Sequence, residues 1–126
     1  MKPWVILALI FLGISAYAQP SQRQKMIHMA AVRIAETIQV PESEKDAFIS
    51  LYQNYKKESA VIMSAVQQQS GDAEKDTEAK ILSDFEKSSK LLELRKRYYH
   101  EFRRILSPSQ IQKMYDAEYA AAVSKR

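Results

Sequence analysis

The chain has 126 residues, no cysteine, and 19 Lys and Arg against 15 Asp and Glu. The cysteine count excludes disulfide staples, thiol chemistry and cysteine-ligated zinc, and a formal net charge of +4 is no more than solubility requires. Only two glycines occur, so the tight turns of phosphate loops and oxyanion holes have little material to form from.

In chain order, Lys2 gives a positive start, residues 5–14 are apolar, and Ser15-Ala16-Tyr17-Ala18 precedes the polar Gln19-Pro20. This is the pattern of a secretory signal peptide, residues 1–18, cut after Ala18. The apolar run is shorter than the roughly 20 residues needed to span a bilayer, and no cysteine follows it to carry a lipid. The expected mature protein, residues 19–126, is therefore a single small helical domain exported to the periplasm, with no stable membrane insertion after cleavage. Without Lys2 the balance is 18 Lys and Arg against 15 Asp and Glu.

The remaining prolines and the single glycine of that mature segment leave few obligatory helix stops, and apolar residues recur at three and four rather than two. A first helix is expected over about Ser21–Gln39, with Ile34 and Ile38 inward. Pro41 is expected to end it and to occupy the first position of a second helix, about Pro41–Ser70. Phe48, Leu51, Tyr52, Tyr55, Ser59, Ile62 and Val66 form its apolar stripe. Gly71 marks the turn that follows. A third helix, about Ala73–Leu106, carries Phe85, Leu92, Tyr99 and Leu106 at steps of seven beside Leu91, Tyr98 and Ile105, a surface too wide for one partner helix. Ser107-Pro108-Ser109-Gln110 then reads as a capping box, with Ser107 as cap, Pro108 at the first helical position and Gln110 reaching back to the Ser107 N–H. The expected fold class is all-α, about four helices with a long antiparallel hairpin, paired into a homodimer.

The run Ile105-Leu106-Ser107-Pro108-Ser109-Gln110 resembles the Spy/CpxP family of periplasmic proteins, whose hallmark is an L-T-x-x-Q helix start. Ile38-Gln39-Val40-Pro41-Glu42-Ser43 looks like a decayed second copy in which Val40 replaces the cap and Ser43 stands where Gln110 stands. The resemblance covers about Ile38–Tyr119. It implies a thin, curved helical hairpin that dimerises into a cradle and acts as an ATP-independent chaperone, a brake on an envelope-stress sensor, or a metal-responsive accessory; fold analogy does not choose among these.

Motifs for catalysis are absent, with no G-x-S-x-G and no H-E-x-x-H, and no catalytic residue, cofactor or metal is assigned. Met26-Ile27-His28-Met29 has the composition of a soft-metal site, but Met26 and Met29 are expected to pack and His28 to be solvated. His100 stands between Lys96 and Arg104, a cationic setting that disfavours a divalent metal. Asp76 with Lys80, Glu86 with Lys90 and Glu93 with Arg97 have the i, i+4 spacing of a solvated helix face.

The segment from Arg95 to Arg104 interleaves arginines with aromatics. Export argues against a nucleic-acid partner, for which such a mixture would otherwise be suited. Two readings stay open: core aromatics covered by arginine stems, or a surface for unfolded or specific envelope protein. In the second, Tyr52, Tyr55, Tyr98, Tyr99 and Phe102 supply apolar contact and Arg95, Arg103 and Arg104 the charge.

Overall fold

A computed structural model describes residues 21–124, so the expected leader, its cleavage after Ala18 and the last two residues lie outside the described residues. Among the described residues are four α-helices, α1 (Ser21–Thr37), α2 (Lys45–Met63), α3 (Ala73–Phe102) and α4 (Pro108–Ser124), one 3-10 turn at Glu42–Glu44, and no strand. The chain is all-helical, as its three-and-four periodicity implied. No helix among the described residues is long and apolar enough to cross a membrane.

The buried residues gather at one end of the molecule. Ala31, Ile34, Ala35 and Ile38 arrive from α1 and its end, Phe48, Tyr52 and Tyr55 from α2, Leu94, Tyr98 and Phe102 from α3, and Ile111 and Met114 from α4. Val40 and Leu106 close the connections between them. No residue between Tyr55 and Leu94 is buried. The greater part of α3, a 30-residue helix about 45 Å long, therefore extends beyond the core.

Four boundaries differ from the sequence expectation, each for a physical reason. The first helix stops at Thr37 because Gln39 turns left-handed, at φ 60°, in a Schellman arrangement: the Val40 N–H donates to the Ala35 carbonyl and the Gln39 N–H to the Glu36 carbonyl. Glycine normally marks this position, so a glutamine there gave no signal. Pro41 is not the first residue of α2; it precedes the 3-10 turn, and neither the turn nor α2 has a side-chain cap. The weak first copy of the capping motif thus has no capping function.

The second helix ends at Met63 rather than near Ser70. Beyond Ile62 there is no core to bury an apolar side chain, Val66 is 92% exposed, and the Ser64 hydroxyl bonds back to the Val61 carbonyl. Gly71, at φ 88°, consequently serves the start of α3 rather than the end of α2. Next to it the Asp72 carboxylate accepts from the Glu74 and Lys75 N–H groups, and Asp76 accepts from both the N–H and hydroxyl of Ser70. Those two bonds hold the Asp76 carboxyl below its ordinary value.

The third helix ends at Phe102, where Arg104 and Ile105 switch to i→i−3 bonds and Pro108 lies ahead. The expected capping box is present: the Gln110 N–H donates to Ser107 Oγ (3.2 Å) and the Ser107 N–H to Gln110 Oε1 (2.9 Å). Gln110 has a second role that the motif did not announce. Its Nε2 donates to the carbonyls of Ile38 (3.1 Å) and Gln39 (3.3 Å), tying the start of α4 to the end of α1.

Candidate partner-binding surface

The residues expected to form a binding surface divide into two groups. Tyr52, Tyr55, Tyr98 and Phe102 are core: each is at most 8% exposed, and their rings contact one another and Phe48 at centroid distances of 5.4–6.2 Å. Their expected role in apolar contact with a client is corrected accordingly, because α2 and the end of α3 bury these rings against each other. Tyr99, Arg95, Arg103 and Arg104 lie on the exposed side.

The polar atoms of the core rings are directed to charged partners at its edge. The Tyr98 hydroxyl donates to Glu58, whose other oxygen takes Arg97 at 3.3 Å. The Tyr55 hydroxyl accepts from Arg95 Nε at 3.3 Å. Lys56 reaches Glu118 of α4 at 2.9 Å. Burial pushes the Tyr52, Tyr55 and Tyr115 phenols up, with Glu118 adding to the effect at Tyr52 and Tyr55.

The exposed arginines are not alike. Arg97 is engaged by Glu58 and Arg104 lies 3.5 Å from Glu101, whereas Arg103 donates to the Leu106 carbonyl at 2.9 Å and so helps end α3. Arg95 has no carboxylate partner among the described residues; its guanidinium sits 5.4 Å from the Tyr115 ring centroid. Leu92, Arg95, Lys96, Tyr99 and His100 of α3 and Tyr115 of α4 line a shallow groove of about 380 Å³. Tyr115 was missed as a surface residue because its partner, Arg95, is twenty positions away on another helix.

Away from the core, α3 exposes Ile81 (47%), Leu82 (57%), Phe85 (66%) and Leu92 (53%), and the end of α2 exposes Val61, Met63 and Val66. The seven-residue step from Phe85 to Leu92 to Tyr99 is therefore a solvent-facing stripe, while Leu94, Tyr98, Phe102 and Leu106 face inward. Around it the charged side chains pair along the helix, Lys80 with Asp84 and Lys90 with Glu86. Of the pairs expected, Glu86 with Lys90 forms; Asp76 is taken by Ser70, and Glu93 meets Lys96 instead of Arg97.

His28 Nδ1 lies 3.2 Å from Gln53 Nε2, and Met26 and Met29 are exposed at 67% and 61%, so these methionines do not pack as expected. Among the described residues no group of three or more His, Cys, Asp or Glu side chains is placed to hold a metal ion. No protein-family model, curated protein or solved structure matches the chain.

Proposed function

We propose that this chain is a non-enzymatic periplasmic protein of the Spy/CpxP type, in which α2 and α3 form an antiparallel hairpin that pairs with a second copy and binds unfolded or partner protein without ATP. One observation carries the reading: α3 continues for some twenty residues past the core and displays Ile81, Leu82, Phe85 and Leu92 on that extension. Scattered exposed apolar residues need no explanation, but several within three turns of one helix constitute a surface for contact. The hairpin reading is supported by the order of contacts, since Phe48 meets Phe102, Tyr55 meets Tyr98, and Glu58 meets Arg97. The capping box at Ser107, Pro108 and Gln110 supports the family reading.

The purified protein is expected to slow the aggregation of a chemically denatured client at near-stoichiometric ratio in the absence of ATP. Replacing Phe85 and Leu92 together by serine is expected to abolish most of that effect. Indifference of several unrelated clients to the unaltered protein removes the chaperone reading and directs the search to one specific envelope partner.

A further inference from the structure

The Arg95 guanidinium is held on two sides. Its Nε donates to the buried Tyr55 hydroxyl, and its face lies against the Tyr115 ring, so the side chain has given up most of its rotameric freedom. The terminal Nη groups make no hydrogen bond to the described residues, and no carboxylate lines the groove into which this part of α3 opens. A fixed guanidinium with a free Nη edge is pre-organised for a carboxylate, which it can take through two parallel N–H···O bonds. Beside it, Leu92 and Tyr99 are 53% and 37% exposed, and Lys96 lines the same groove with its ammonium 3.6 Å from Glu93.

We infer that the α3–α4 groove is a docking site for an acidic segment of another protein chain, in which a side-chain carboxylate adjoins an aromatic or large aliphatic residue. The carboxylate sits on the Nη edge of Arg95, and the apolar side chain lies over Leu92 and Tyr99. Charge complementarity selects this occupant: the lining residues of the groove include Arg95, which has no carboxylate partner among the described residues, and Lys96, and no acid. The inference rests on reading the chain as a protein-binding module and names the class of segment that one part of it takes. The groove shares Leu92 and Tyr99 with the apolar stripe but not Phe85, whose surroundings carry Lys and Asp or Glu in paired balance.

The test is fluorescence anisotropy with a labelled peptide of alternating Asp and Phe, compared with the same peptide carrying Asn in place of Asp. The Asp–Phe peptide is expected to bind, and the Asn–Phe peptide to bind about ten-fold more weakly or less, the loss of one charge-assisted hydrogen bond or more. Arg95→Gln is expected to produce a similar loss, and Arg95→Lys a partial one, because an ammonium keeps the charge without the fork. Lys25→Gln on α1, which removes an exposed charge outside the groove, should leave peptide affinity unchanged. The peptide comparison uses unaltered protein, so it stands even if Arg95→Gln disturbs the core through Tyr55. Equal binding of the Asp and Asn peptides overturns the inference, as does unchanged affinity in a folded Arg95→Gln variant. Co-sedimentation with phosphatidylglycerol vesicles but no peptide binding also overturns it, in favour of a lipid surface. The two proposals fail separately. Client protection that depends on Phe85, with no discrimination between the peptides, retains the chaperone reading and removes this one. Arg95-dependent peptide binding without client protection does the reverse.

Discussion

Gln110 shows how much one side chain can contribute when it serves two helix ends. Ser107 and Gln110 satisfy each other's N–H groups at the start of α4, and the Gln110 amide also covers the carbonyls of Ile38 and Gln39. Ser107→Ala is therefore expected to cost about 1 kcal/mol, the usual loss of an N-cap. Gln110→Ala should cost about 2 kcal/mol, because the end of α1 loses its partner as well. Urea unfolding of the two variants separates these values; equal losses would mean that the link from α4 to α1 adds nothing to stability. At Tyr98 the expected signature is a pH dependence. Burial, and then the bond to Glu58, push its phenol up to about 12 from the ordinary 10.0. The folded state favours the neutral phenol, so this contribution is complete below pH 10 and is lost as pH rises towards about 12. Tyrosinate absorbance and helical circular dichroism should change together across that window, and Tyr98→Phe should flatten the change. An unaltered profile in that variant would assign the alkaline loss to Tyr52 and Tyr55, whose phenols are pushed up too.

At the scale of the element, the existence and type of every helix were legible in the three-and-four recurrence of apolar residues, and the start of α4 was legible in its capping box. The ends were less so. Where α2 stops depends on where the core stops, a tertiary fact that Ile62 and Val66 do not encode locally. For α3 two apolar stripes compete in sequence, and only the ring of Tyr55 and the Glu58 carboxylate decide that Tyr98 turns inward and Tyr99 outward. The candidate site was legible to the same extent: Arg95 and Tyr99 lie in an exposed groove, whereas Tyr52, Tyr55, Tyr98 and Phe102 are core. This division predicts opposite costs along one helix. Phe102→Ala removes a fully buried ring that contacts Phe48, Tyr55 and Tyr98 and should cost about 3–5 kcal/mol. Phe85→Ser, at 66% exposure in the single chain, should change stability by no more than about 0.5 kcal/mol at concentrations too low for two chains to pair. Urea unfolding measures both. A loss at Phe85 comparable with that at Phe102 would show that Phe85 is covered in solution.

For the whole molecule, what could cover it is a second copy. The core occupies one end, while the extension of α3 and the end of α2 contribute no buried residue of their own. A helix gains most of its stability from packing an amphipathic face, and the outer two thirds of α3 have such packing only if another surface supplies it. Pairing of two chains through Ile81, Phe85 and Leu92 would provide that surface, and folding would then be coupled to concentration. Sedimentation velocity is expected to show a dimer at micromolar concentration, with a melting temperature that rises with protein concentration. Replacing Phe85 and Leu92 by serine should yield monomers that keep the helical core, since Phe48, Tyr55, Tyr98 and Phe102 are untouched. A monomer at all accessible concentrations, with a melting temperature independent of concentration, would remove the pairing and leave the stripe on α3 open to a client from the outset.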